Sequence, residues 1–170
     1  MALIVEDGTG KSDAESYNSV AEAIVYITKF YPSSTFLTST TEEQEAFCRQ
    51  ATQYLDMKYG GRWLGDKSNK TQALDWPRQD AEIDGYLQES NQLPQKLKDA
   101  AFEAIQIFVA GDDPFEANDS FGTVKSEAVK VGPISESIEY MGGKSTYKKY
   151  PKVDNIVRAI IESAGNLERG

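Results

Sequence analysis

The chain contains no histidine. That removes the commonest general base, proton shuttle and imidazole metal ligand together. It contains one cysteine, Cys48, so neither an internal disulfide framework nor a thiolate metal cage can form. Cys48 lies within a helical pattern and reads as a small packing residue rather than a nucleophile. No apolar run approaches the roughly 20 residues of a membrane span. The N-terminus has neither a basic region nor an apolar stretch of secretory length, which predicts a protein that matures in the cytoplasm. Basic residues are outnumbered, with 18 Lys and Arg against 27 Asp and Glu and a formal charge of −9. Such a balance argues against non-specific binding of nucleic acid by the whole surface.

What is present suits one domain, at most a domain with an arm, in a chain of 170 residues. A chain of that size buries roughly 70% of its extended surface, enough for a core without covalent staples. The stretch LIVEDGTGKS, residues 3–12, invites a phosphate-loop reading because it ends Gly10-Lys11-Ser12. The first glycine of such a loop falls at position 5, which is Val5. Glu6 and Asp7 put two carboxylates where a triphosphate would lie, and no apolar helix starts at the lysine. The bland reading is a short strand over residues 2–5 and a turn built on Gly8 and Gly10.

Two helices announce themselves by capping boxes. Ser19 and Glu22 open one over 20–30, with Ala23, Ile24, Ile27 and Phe30 as its apolar face. Thr40 and Glu43 open a second over 41–59, with Phe47, Ala51, Tyr54, Leu55 and Lys58 at helical spacing and Gly60-Gly61 as its stop. A third begins near Pro94 and carries Leu97, Ala101, Ala104, Ile105 and Phe108, ending before Gly111. Small residues at 100, 101 and 104 allow a neighbouring helix to approach closely. The stretch 60–93 is irregular and holds both tryptophans, Trp63 and Trp76, expected in the core with Phe47 and Phe108. A loop of such length is functional or folded on its own side chains. The acidic loop GDDPFEANDS lacks the spacing of a calcium loop and reads as solvated.

Residues 124–131 and 134–140 alternate either side of Gly132-Pro133 and predict a β-hairpin. A lone hairpin is marginally stable in water, so it needs packing from its own helices or another chain. The segment GGKSTYKKYPK, 142–152, interleaves Lys144, Lys148, Lys149 and Lys152 with Tyr147 and Tyr150. Three readings stand open: base stacking along single-stranded nucleic acid, docking on an acidic protein, or a solvated linker. A last helix, about 152–164, carries Val153, Ile156, Val157, Ile160 and Ile161. The fold expectation is mainly α: a small helical domain with a β-hairpin and a C-terminal docking helix. Its parts are 1–141, which includes the hairpin 124–140, and a basic linker and arm, 142–170. No catalytic, cofactor or metal constellation is recognisable, and an enzyme is not expected.

ALIVEDGTG, SYNSVAEA, RQATQYLD, TQALDWPR, LPQKLKDAAFEAI and VGPISESIEY, in this order, resemble a family of tailed-phage and prophage proteins. The resemblance spans most of residues 2–140 and fades after about 141. Members are often labelled DnaT-like single-stranded-DNA-binding proteins, and they also look like head–tail adaptors of the phage neck. The adaptor resemblance implies a structural virion protein, made in the bacterial host cytoplasm. It implies a monomer when free and a dodecameric ring below the portal, with no membrane role. Its partners are then the portal protein and a stopper or tail-side neck protein, and duplex DNA passes through the channel without specific binding. By class analogy, Lys148, Lys149, Lys152, Ile156, Val157, Ile160 and Ile161 meet the portal. Val129, Val131, Ile134 and Ile138 of the hairpin meet a neighbouring subunit. The alternative is a single-stranded-DNA-binding module of a phage replication system, with the Lys/Tyr segment as its site.

Overall fold

The computed structural model describes residues 2–116, 127–131, 134–138 and 148–162. They fall into two compact units, one drawn from Met1–Asp112 and Tyr150–Gly170, the other from Asp113–Lys149.

The first unit is helical. Helix α1 is Val20–Phe30 and α2 is Thr41–Tyr59, and both capping boxes form: Ser19 with Glu22, Thr40 with Glu43. A 3-10 turn, Thr35–Thr38, joins them. Helix α3, Gln95–Val109, begins after Pro94. Ala100, Ala101 and Ala104 are buried on it, and the absence of bulk there is what lets α2 lie close along α3. The core around these alanines holds Ala51, Tyr54 and Leu55 of α2 and Leu97 and Ile105 of α3. Phe47 and Phe108 are only half-buried, at the margin of the core rather than in it.

The N-terminal strand expected over 2–5 shrinks to one parallel bridge, Val5 with Ser16. The segment 60–93 is not structureless. Strand β1, Asp66–Lys67, pairs with β2, Arg78–Gln79, and β3, Glu82–Ile83, pairs with β4, Tyr86–Leu87, both antiparallel. The turn of the second ladder is Asp84-Gly85, at φ 53° and 83°. Positive φ at both central residues is the twist-matched two-residue hairpin turn that Asp-Gly favours. Trp76 is fully buried and Trp63 nearly so, edge to face with ring centroids 6.3 Å apart.

The C-terminal segment corrects an expectation. Helix α4 is Pro151–Val157, followed by a 3-10 turn, Arg158–Ile160, rather than one helix to 164. Ile161 is extended and bridges Trp63, while Leu64 N–H donates to the Ile160 carbonyl and Glu162 N–H to the Arg62 carbonyl. Strand-like bonds to 62–64 therefore outcompete another helical turn. Val153, Val157 and Ile160 are buried in the same unit as α2 and α3. The division at 141/142 is thus not where the compact units part, because apolar burial on its own chain holds this helix.

In the second unit, β5, Glu127–Val131, pairs antiparallel with β6, Ile134–Ile138, in the register Val131↔Ile134. The hairpin read from the sequence is there. Lys148 pairs with Glu116 at 3.1 Å in the same unit.

Candidate functional site

The glycine-rich loop is occupied by its own chain. Glu6 is buried, and its Oε1 accepts the N–H groups of Gly8 (2.9 Å) and Gly10 (2.8 Å) while Oε2 accepts that of Lys11 (2.9 Å). These are the amides a phosphate would need. The Lys11 ammonium donates to the Val5 carbonyl and pairs with Asp7, each at 2.9 Å. Hydrogen bonds from Thr9 and then Lys11 hold Asp7 down at about 2. Cys48 is buried, and burial pushes its thiol up to about 12, as befits a packing residue.

A groove of ≈ 680 Å³ lies between α1 and α3. Its origin is helical spacing. Ala23 and Ile27 take the buried face of α1, which turns Glu22, Val25, Tyr26, Lys29 and Phe30 into the groove. On α3, Gln95, Lys98, Asp99 and Phe102 recur at three- and four-residue intervals and form the other wall. Tyr26 stands between Phe30 and Phe102, each centroid 4.6 Å away, and the Tyr26–Phe102 pair is stacked. Lys29 Nζ lies 5.1 Å from the centre of the Phe30 ring. Val25 is 71% exposed and Phe30 52%. Those values mark a face that the rest of the described chain leaves open, whereas the apolar stripe in the sequence implied that Phe30 would be buried.

The groove floor is fixed from behind by Glu103. Its side chain is 3% exposed and pairs with Lys152 Nζ at 2.8 Å. The Tyr26 hydroxyl donates to Glu103 Oε1 at 2.7 Å, and the Tyr31 hydroxyl donates to Oε2. Burial, then the hydrogen bond to Glu103, raises the pKa of both phenols. One carboxylate therefore ties α1, α3 and α4 together, and Tyr26 cannot rotate freely beneath Phe30.

The residues expected to meet a portal are placed differently from one another. Val157 and Ile160 are buried in their own unit, so their apolar surface is taken. Ile156 and Ile161 are half-buried, and Lys149 is exposed. Lys148 is paired with Glu116 and Lys152 with Glu103, so neither ammonium is unpaired for a partner's carboxylates. Val129, Val131, Ile134 and Ile138 lie on β5 and β6, and their side chains lie outside the described residues, as do Lys144 and Tyr147. Tyr150 is half-buried with its ring edge-on to Tyr54, 6.3 Å between centroids, which removes it as an open stacking platform. The groove was not singled out from the sequence. Its signal was there in Val25, Tyr26, Lys29 and Phe30, which hold too much apolar and aromatic surface for one buried stripe.

No helix among the described residues is long and apolar enough to cross a membrane. A family model described as "Putative DnaT-like ssDNA binding protein" matches residues 1–170, and the chain belongs to that family. No curated protein and no solved structure matches it.

Proposed function

We propose that this member of the DnaT-like family binds single-stranded DNA, with its bases stacked in the α1–α3 groove. The observation that carries the reading is the triple of rings, Phe30, Tyr26 and Phe102, open on the Phe30 side and flanked by Lys29. Every base has a π face, so stacking on such rings is tolerant of sequence, and each contributes about 1–3 kcal/mol. Lys29 and Lys98 stand at the rim for phosphates, and Lys98 would exchange its present partner, Glu22, at 2.7 Å. The family description supports the same reading.

The test is fluorescence anisotropy of a labelled oligo-dT with the intact chain and with Phe30→Ala. Loss of about tenfold or more in affinity is expected from removing one stacking ring. Because few cations are engaged, the salt dependence should be shallow. Undiminished binding by Phe30→Ala would move the site elsewhere, and no binding by the wild-type chain would end the reading.

A second reading, a head–tail adaptor of the phage neck, is favoured by the charge distribution. Lys11, Arg49, Lys58, Lys67, Lys96, Lys98, Lys148 and Lys152 are each committed to carboxylates of the same chain. With a net charge of −9, a ring of such subunits repels duplex DNA and lets it slide. In that reading the groove takes a segment of the portal or of a tail-side protein. Mass photometry with isolated portal rings discriminates: large complexes with portal and no oligonucleotide binding support the adaptor.

A further inference from the structure

A second cleft, of ≈ 370 Å³, opens where the end of α2 meets the segment that follows α4. Lys58, Arg62 and Arg158 line it. The backbone brings these cations together. Gly61, at φ 78°, turns the chain out of α2, and Arg62 N–H donates to the Tyr59 carbonyl at 3.0 Å. Arg62 is then pinned against the C-terminal segment by the Glu162 N–H, 2.7 Å from its carbonyl. Arg158 stands on the turn just before that contact, and its Nη2 donates to Asn155 Oδ1 at 2.7 Å.

The charges in the cleft do not cancel. Two carboxylates, Asp154 and Glu162, also line it. Asp154 is already matched: its Oδ1 accepts from Lys58 Nζ at 2.6 Å and from the Tyr59 hydroxyl at 2.5 Å. Lys58 is thereby used as well. Arg62 and Arg158 remain, opposed by Glu162 alone, which is exposed. Arg62 enters no ion pair and no side-chain hydrogen bond among the described residues. Among the described residues Lys11, Arg49, Lys58, Lys67, Lys96, Lys98, Lys148 and Lys152 are each neutralised by a carboxylate, whereas this guanidinium pair faces one carboxylate not already matched. A guanidinium fork takes carboxylates and phosphates bidentately, and a phosphate has oxygens enough, and as an ester or polyphosphate can carry charge enough, to engage two such forks at once.

We propose that this cleft binds a phosphate group, gripped between Arg62 and Arg158. The phosphate is either a diester of a DNA backbone or a free phosphate ester. The first source rests on the single-strand reading above, and the second does not.

Two probes separate them: sodium tripolyphosphate, which has phosphates and no bases, and a labelled oligo-dT. Each is titrated against the wild-type chain, Arg62→Glu, Arg158→Glu and Arg62→Lys, with circular dichroism confirming that the variants fold. Wild-type binding of tripolyphosphate is expected, with a loss of at least about tenfold in each charge reversal. Arg62→Lys should fall between, since it keeps the charge and loses the fork. No tripolyphosphate binding by the wild-type chain, or binding that both reversals leave intact, overturns the site. If the same reversals also weaken the oligonucleotide, the phosphate is the DNA backbone. If tripolyphosphate binding needs both arginines and oligo-dT does not bind at all, the single-strand reading fails while the phosphate site stands.

Discussion

The Tyr17 hydroxyl donates to Asp56 Oδ1 at 2.5 Å, from a fully buried ring to a carboxylate on α2. The other oxygen of Asp56 accepts the Asp75 N–H at 3.1 Å, and Trp76 N–H donates to the Tyr17 oxygen at 3.3 Å. One carboxylate thus joins the N-terminal loop, α2 and the tryptophan-bearing segment. Burial raises Asp56 to about 6 from its ordinary 3.8; Tyr17 opposes the shift, and the Asp75 charge adds to it.

That shift sets a pH dependence. A carboxyl whose folded pKa is raised contributes stability that is complete below about 3.8 and is lost as pH rises through about 6. The loss from this group is of the order of 2–3 kcal/mol. Urea unfolding of the wild-type chain and Asp56→Asn between pH 4 and 7.5 measures it. The stability advantage of wild type over the variant should shrink as pH rises; a difference that stays constant would show that Asp56 does not titrate in this window.

The Glu6 carboxylate fills a nest of three amides. Glu6→Ala leaves those donors facing an empty, mostly buried site, at a cost of about 3 kcal/mol. Part of that loss should return on adding acetate or phosphate, which can enter the vacated nest. A variant as stable as wild type, or one indifferent to added anion, would contradict the nest.

Two glycines with positive φ should respond very differently to alanine. At Gly8, φ 101°, a Cβ would stand 1.9 Å from the Asn91 carbonyl oxygen, so Gly8→Ala must push 91–92 away from the loop. At Gly61, φ 78°, a Cβ meets nothing within 4 Å. Only backbone strain remains there, about 1 kcal/mol. Thermal melts should show a small drop for Gly61→Ala and a drop several times larger, or failure to fold, for Gly8→Ala.

Ile160 is fully buried beside the bridge that joins Trp63 to Ile161. Ile160→Ala should cost about 2–5 kcal/mol, the range for a core truncation. Deleting residues 142–170 removes Val153, Val157 and Ile160 from the core together and should prevent stable folding. A deletion product that melts like the intact chain would restore the detachable arm that the sequence suggested.

Much of the helical frame was readable because its signals are local. Ser19 with Glu22 and Thr40 with Glu43 solve the free-amide problem of a helix start within four residues, and both helices begin where those pairs say. The pairing of β5 with β6 was legible for a similar reason, from the alternation in the sequence on both sides of Gly132-Pro133. Asp84-Gly85 was an equally local signal for the β3–β4 turn, passed over because the surrounding stretch has little apolar alternation. The α1–α3 groove was less accessible. A stripe of Ile24, Ile27 and Phe30 looks alike whether a partner covers all of it or part of it, and only the position of α3 leaves Phe30 half in water.

By itself the sequence determined what depends on neighbours along the chain: the starts and stops of α1, α2 and α3, a mainly α composition, an excess of acidic residues, and the lack of imidazole and paired thiols. It also showed that Gly8 to Lys11 was a poor phosphate loop, since Val5 stands where a glycine is needed. Only the tertiary structure decided that Glu6 turns back to fill those amides, and that α4 closes the core instead of trailing from it. It also decided that Glu103 gathers Tyr26, Tyr31 and Lys152. Those outcomes turn on which distant groups meet, and burial rewards such meetings according to three-dimensional proximity, which sequence spacing does not encode.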